Sequence, residues 1–319
     1  MHAIGVDIGG TKIAAGVVDG EGRILAQIRR DTDASDADSV DAGVVEVVRE
    51  LSAAYEVGAI GLAAPGFVSS DQSTVLLCPN LPWRDHPLRE RVAAGLGTGV
   101  PIVVENDANA AGWAEFRFGV GRDVEDMLLL TIGTGLGGAL VVGGRLVRGA
   151  YGVAAEVGHM RVVPDGHLCG CGLHGCWEQY ASGRALVRSA RTAAANLPES
   201  AVRMIELSGG GKIKGPAITT AAQEGDPLAV SLLAELGRWI GEGSASVAAL
   251  LDPALVVIGG GVGAAGDLLL EPTRAAFLGA LSARGFRPEA RIELAAMGND
   301  AGIVGAADLA RLGPQDAVG

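Results

Sequence analysis

The sequence predicts an α/β protein built on a duplicated unit, in two domains with a cleft between them, and three observations predict it. First, "DIGGTKIAAGVVDGEGRIL" from Asp7 and "TIGTGLGGALVVGGRLV" from Thr131 match at Ile8 with Ile132, Gly9 with Gly133, Val17 with Val141, Val18 with Val142 and Gly20 with Gly144. Both copies read as strand, Gly/Thr turn, strand, turn, strand, the pattern of a duplicated β-meander. Second, strand and helix patterns alternate in both halves of the chain. Third, 319 residues with 49% hydrophobic and 19% charged side chains are enough for two ordinary domains with real cores.

The elements follow in order. After the first copy come a helical stretch, "SVDAGVVEVVRELSAAYE", a strand, "AIGLAAPG", and a second strand, "PIVVEND", that runs into an Ala-rich helix from Ala108. The second copy leads to a Cys-rich loop, then helices through "DPLAVSLLAELGRWIGEGSASVAALLD", a buried strand "ALVVIGGG" and a closing small-residue helix "AGIVGAADLARLG". The boundary is expected near Asp107, giving domains 1–107 and 108–299, the second carrying the loop 159–178.

Charge and patterning exclude several classes. With a net charge of −12 and no basic cluster longer than Arg29-Arg30, the chain has no footprint for DNA or RNA. "MHAIGVDIGG" reads as a strand entering a turn and not as a signal peptide. The most apolar later stretch, "ALVVIGGGVGAAGDLLL", is Gly-rich and falls short of the roughly 20 apolar residues a membrane span needs. A soluble, cytoplasmic protein is expected, with no membrane partner.

The chemistry gathers in the turns. "DIGGTK" and "GTGLGG" are Gly-rich turns able to aim backbone N–H groups at phosphate oxygens, with Thr11, Lys12 and Thr134 as side-chain donors. A lone turn of this kind is more often just a hairpin; two at equivalent places in a repeat favour the phosphate reading. Gly259, Gly260 and Gly261 follow a buried strand, where α/β sheets meet ligands, although a tight turn explains them equally. Asn106 and Asp107 fall at a helix start, where either would serve as an N-cap, and where a carboxylate could also act as general base for a substrate hydroxyl.

Three of the four cysteines lie within "CGCGLHGCWE". With His159 they make H-x9-C-x-C-x4-C, and Cys169, Cys171, Cys176 and His159 suit a closed tetrahedral zinc site, structural and not Lewis-acidic. His167 and His174 rival His159 on spacing alone. Cys78 stands apart and reads as a small buried residue.

Taken together, "DIGGTK" at 7–12, "APG" at 64–66, "ENDANAAGWAE" at 105–115, "TIGTGLGGAL" at 131–140, "EVGH" at 156–159 and "CGCGLHGCWE" at 169–178 resemble the ROK family of sugar kinases and repressors, most closely its bacterial glucokinases. The resemblance covers nearly the whole chain. It implies the actin-like, Hsp70-like (ribonuclease H-like) two-domain ATPase fold, with a C-terminal helix at about 300–319 packing back on the first domain. It implies ATP with Mg²⁺, phosphates on Asp7, Gly9, Gly10, Thr11 and Lys12 and on Gly133, Thr134, Gly135 and Gly137, with the adenosine near Gly259 to Gly261. Asp7 would orient Mg²⁺ through water. Asp107 is implied as the base that activates the 6-hydroxyl of glucose, with Gly66, Asn106, Asp107, Glu156, His159 and Glu178 in the sugar site and Asn80 as a weaker candidate.

The alternatives that remain on the resemblance are another hexose (mannose, fructose or N-acetylmannosamine), polyphosphate as donor, and a non-catalytic sugar-sensing regulator. Repressors of the family carry an additional N-terminal helix-turn-helix domain, for which a sequence whose "DIGGTK" starts at residue 7 leaves no room. A homodimer or homotetramer is the family's usual state. If His159 gives one ring nitrogen to zinc, its other is held toward the sugar, so the metal is expected to support sugar recognition with much less effect on ATP.

Overall fold

The computed structural model describes residues 1–313. The first copy of the repeat forms β1 (His2–Ile8), β2 (Lys12–Val18) and β3 (Ile24–Asp31), an antiparallel meander. Helix α1 (Ala37–Ala54), capped by Asp36, leads to β4 (Val57–Ala64). A small antiparallel sheet of β5 (Phe67–Val68), β6 (Val75–Leu77) and β7 (Arg84–His86) follows, then α2 (Leu88–Leu96), β8 (Ile102–Asn106) and α3 (Asp107–Arg117).

The second copy forms β9 (Met127–Ile132), β10 (Leu136–Val142) and β11 (Arg145–Leu146). After the Cys-rich loop come α4 (Gly183–Asn196), α5 (Val202–Leu207), α6 (Gly215–Gln223), α7 (Pro227–Leu251), β12 (Leu255–Gly259), α8 (Asp267–Ala280), β13 (Arg291–Leu294) and α9 (Ala301–Leu312). The two large sheets have strand orders β3-β2-β1-β4-β8 and β11-β10-β9-β12-β13, so corresponding strands of the two sequence copies hold corresponding places. The repeat is therefore structural, and the α/β duplicated fold is the one the sequence implies.

In the first sheet β1, β4 and β8 run parallel, and in the second β9, β12 and β13 do. Parallel strands covered on both faces read as continuous apolar runs, as "LVVIG" of β12, buried throughout, does. One core of Ile, Val and Leu packs α1 and α2 on one face of the first sheet. On the opposite face lies α9, whose backbone comes so close that a Cβ at Gly5 would stand 1.8 Å from the Ile303 carbonyl oxygen, and one at Gly61 1.9 Å from that of Ala306. Two strand glycines thus set the depth at which the small-residue helix lies.

The described chain divides into two compact units, one of residues 1–125, 139–155 and 296 onward, the other of 126–138 and 156–295. The boundary therefore lies past α3 and not at Asp107, because α3 packs on α9, with Ala110 and Gly305 in backbone contact, and so stays with the first unit. The C-terminal helix ends at Leu312, and the expected stretch 314–319 lies outside the described residues. No helix among the described residues is long and apolar enough to cross a membrane.

Candidate active site

In the first unit the predicted residues cluster at the carboxyl ends of β1, β4 and β8, where open α/β sheets bind ligands. Asp7 is in register with Ala63, and Ala63 with Glu105. Beyond Ile8 the turn closes with the Gly9 N–H donating to the Lys12 carbonyl at 2.9 Å. The Asp7 carboxyl lies against Gly302 at the start of α9, where a Cβ would stand 3.1 Å from its Cγ. Burial pushes the Asp7 pKa up, and the Lys12 ammonium opposes that rise. Thr11 and Lys12 are exposed, and Gly10 faces Asn80, whose carbonyl oxygen would be 3.7 Å from a Cβ there.

Asn106 is engaged through both ends of its amide. As N-cap of α3 its Oδ1 accepts from the Asn109 N–H at 3.0 Å, while its Nδ2 donates to the Gly66 carbonyl at 2.9 Å. One N–H of the amide is left for a ligand. Gly66 has a φ of 99°, a conformation in which a side chain would also strike the Leu77 carbonyl. Asp107 opens the helix and accepts the Ala108 N–H at 2.8 Å, placing its negative charge where the helix dipole favours it. The Cys78 thiol is pushed up chiefly by burial, with the charge of Asp107 adding to it.

Glu105 carries no motif of its own in the sequence. It ends the apolar run "PIVVE" yet is buried, and it accepts the Asn106 N–H, the Asn109 side-chain amide, the Gln72 amide and the Arg148 guanidinium. The only available signal was a charge closing an apolar strand, matched by Arg148 just after "RLV" of the second copy.

In the second unit the turn between β9 and β10 closes through Gly133 N–H to the Gly135 carbonyl at 3.0 Å. Gly259 pairs in register with Thr131, so the third glycine run sits beside this turn. Next to them opens a cavity of 1130 Å³ lined by Gly133, Thr134, Gly261 and Val262, and by faces of α4 (Gly183, Arg184, Val187, Arg191) and α6 (Pro216, Thr219, Thr220). Its volume suits a nucleotide. Nothing in the sequence marks the α4 and α6 residues, since their pattern is that of ordinary amphipathic helices. Gly135, Gly137, Gly259 and Gly260 do not line the cavity: Gly135 faces Glu178, Gly137 is within β10, Gly259 closes β12, and Gly260 backs onto the Ile132 carbonyl.

Glu156, His159 and Glu178 come together in the same unit. His159 Nε2 lies 4.0 Å from a Glu156 oxygen, and the Glu156 pKa is raised by burial, with Glu178 adding to the rise and His159 opposing it. The other ring nitrogen, Nδ1, faces Cys169 Sγ at 3.7 Å. Cys171 and Cys176 sulfurs are 3.6 Å apart, too far for a disulfide, and the ligand atoms of His159, Cys169, Cys171 and Cys176 all lie within 4.8 Å of one another. Tetrahedral zinc with bonds of about 2.3 Å to sulfur and 2.0–2.1 Å to nitrogen holds its ligands about 3.5–3.8 Å apart, so the donor set fits that ion. The rival histidines are elsewhere: His167 packs on Tyr180, and His174 Nδ1 contacts the Gly166 carbonyl at 2.9 Å.

Known proteins share both the sequence and the fold of this chain. The ROK family model matches residues 3–312. The chain is 50% identical to a glucokinase of Streptomyces coelicolor over 97% of both chains. It superposes with a TM-score of 0.89 on a ROK family glucokinase from Streptomyces griseus in complex with glucose and AMPPNP, at 50% identity, covering 98% of this chain and 100% of that one. A ROK hexokinase from Thermus thermophilus matches with a TM-score of 0.79 at 36% identity, covering 98% of each chain.

Proposed function

Because this chain belongs to the ROK family, we propose that it is an ATP-dependent glucokinase, transferring the γ-phosphate of ATP to the 6-hydroxyl of glucose. The observation that carries the reading is Asp107: a carboxylate on the first residue of a helix, at the carboxyl end of a parallel sheet, next to an asparagine amide anchored on Gly66. Phosphoryl transfer asks a protein for a phosphate cradle, charge stabilisation and a group that takes the proton of the attacking oxygen.

In this scheme Asp107 accepts the 6-hydroxyl proton as the oxygen attacks the γ-phosphorus. Asn106, through its second N–H, and Gly66, Asn80, Glu156, His159 and Glu178 hold the other hydroxyls by directional, partly charge-assisted hydrogen bonds. The Gly9–Lys12 turn and the Gly133–Thr134 end of the second turn receive the phosphates, and the cavity beside Gly261 takes the adenosine. Bound Mg²⁺ would neutralise phosphate charge, and the half-buried Asp7 carboxyl would hold its water shell. Zinc on Cys169, Cys171, Cys176 and His159 would be structural, since four protein ligands leave no open position. Cysteines that serve a metal in place of a disulfide fit a reducing cytoplasm, and a homo-oligomer belongs to the same reading.

A second reading, a kinase for a different or broader set of hexoses, is favoured by the likeness to the Thermus hexokinase. ADP release measured with ATP and a panel of glucose, mannose, fructose and N-acetylmannosamine, with polyphosphate as a parallel donor, tests both. Glucose should give the highest kcat/KM with ATP, and its product should carry the phosphate on carbon 6. A higher kcat/KM for another hexose selects the second reading, and no turnover with any of them removes both.

A further inference from the structure

We infer that Glu178 is a positioning residue for the nucleotide-phosphate turn, a strut through which the Cys/His cluster sets the shape of Gly133–Leu136. This inference deepens the kinase reading above and rests on it only for the identity of the ligand. One Glu178 oxygen, Oε2, accepts the Leu136 N–H at 3.2 Å, and Gly135 leaves the space for it, because a Cβ there would stand 2.3 Å from that oxygen. The other oxygen, Oε1, is 4.0 Å from Cys169 Sγ. A single carboxylate therefore spans from a member of the thiol cluster to the backbone of the turn.

The same stretch grips the turn at two further points. Gly158, next to His159, lies so close to Leu136 that a Cβ would come within 2.1 Å of its carbonyl oxygen, and the Gly183 N–H donates to the Gly133 carbonyl at 2.8 Å. The 158–183 stretch thus contacts both ends of the turn, and it contains all four ligand residues. Its Glu178 end is itself fixed: Trp177 is fully buried, its indole N–H donates to the Trp239 carbonyl at 2.8 Å, and its ring fills the gap at Gly243 of α7. A Gly-rich turn has few side-chain contacts to define it, so an imposed backbone hydrogen bond decides its conformation. Loss of the metal should therefore be felt in nucleotide affinity as well as in sugar affinity.

The test compares Glu178→Ala, Glu178→Gln and Cys171→Ser in the full chain, with nucleotide titrated in the absence of sugar and glucose titrated separately. Calorimetric titration with Mg²⁺-AMPPNP should show affinity falling roughly tenfold in Glu178→Ala, the scale of one lost hydrogen bond to a charged acceptor. Glu178→Gln, whose amide oxygen still accepts the Leu136 N–H, should recover most of that loss. Glucose affinity, which depends on the charge, should fall in both. Cys171→Ser should lose zinc and show the Ala-type loss of nucleotide affinity. Amide hydrogen exchange at Leu136 should accelerate in Glu178→Ala and Cys171→Ser and stay slow in Glu178→Gln. Exchange is readable even if the wild-type chain binds no AMPPNP; that result would defeat the kinase reading, whereas the exchange pattern would still support the strut. Wild-type AMPPNP affinity together with wild-type Leu136 exchange in Glu178→Ala would overturn the inference.

Discussion

Arg148 Nε donates to Glu105 Oε2 at 2.7 Å in a pair of which 6% and 3% of the residue surface is exposed. The other Glu105 oxygen accepts the Asn106 N–H at 3.0 Å and the Asn109 amide at 3.0 Å. The carboxylate next to the proposed base is thus consumed in fixing the backbone that presents it. A buried ion pair is by itself poor evidence of stability, because desolvation offsets most of the attraction. Its effect here is geometric.

Arg148→Ala should leave a buried carboxylate without its cation and cost about 3–5 kcal/mol in urea unfolding. The pair Glu105→Gln with Arg148→Met, which removes both charges and keeps volume, should recover most of that stability. It should not recover kcat, which we expect to remain some 10- to 100-fold low because the Asn106-Asp107 backbone is less well held, misplacement being costly in catalysis. If the double variant regains both, the pair is a fold element and nothing more.

Asp107→Asn should lower kcat by roughly 10² to 10⁴ while leaving the thermal midpoint almost unchanged. The amide oxygen can still accept the Ala108 N–H that Asp107 now takes at 2.8 Å, so the helix start survives. Turnover near the wild-type value would remove Asp107 as the base. Asn106→Ala separates from it: loss of the cap to Asn109 should cost about 1 kcal/mol of stability in addition to weakened glucose binding.

These residues also show how far the sequence could be read. The repeat was legible because turn glycines and strand valines recur in order, and the same strand order in both sheets is its physical counterpart. The Cys/His cluster was legible because zinc demands particular donors at short spacing, although only the fold separates His159 from His167 and His174. Glu105 and Arg148 were not legible, because they lie 43 residues apart and their pairing exists only once β8 and the strand after the second turn are folded. The cavity walls on α4 and α6 escaped for a related reason: Val187, Arg191 and Thr219 carry no local chemistry that distinguishes them from other helix-face residues. The boundary at Asp107 failed because a strand-to-helix junction with site residues resembles a domain edge, whereas α3 belongs with α9 through the Ala110–Gly305 contact.

The metal assignment predicts which substitutions cost the ion. His159→Ala and Cys169→Ser should lose bound zinc, measured by atomic absorption after gel filtration, whereas His167→Ala and His174→Ala should keep about one equivalent, as expected for a closed four-ligand site. Cobalt substitution should give the absorption of a tetrahedral thiolate-rich site. Retention of zinc in His159→Ala would move the fourth ligand elsewhere and release that ring from its fixed tautomer.

Asp7 should trade stability against turnover. Burial raises its folded pKa above the ordinary value of 3.8, so the folded chain holds this proton more tightly than the unfolded chain does. The resulting contribution is greatest below pH 3.8 and is lost as pH rises through the raised value. Asp7→Asn should therefore raise the thermal midpoint of the ligand-free protein at pH 7.5, where removing the charge removes its desolvation cost. That gain should shrink as the pH is lowered through the raised pKa and the wild-type group takes up its proton. The same variant should lose kcat by roughly 10²-fold if the carboxylate orders Mg²⁺ on the phosphates, since charge stabilisation is the main term in such a transfer. Differential scanning calorimetry across pH 4–8, run beside the coupled assay, reads both quantities. A midpoint that falls in Asp7→Asn at neutral pH would mean that the carboxylate is stabilised by its surroundings, and the assigned cost of its burial would be wrong.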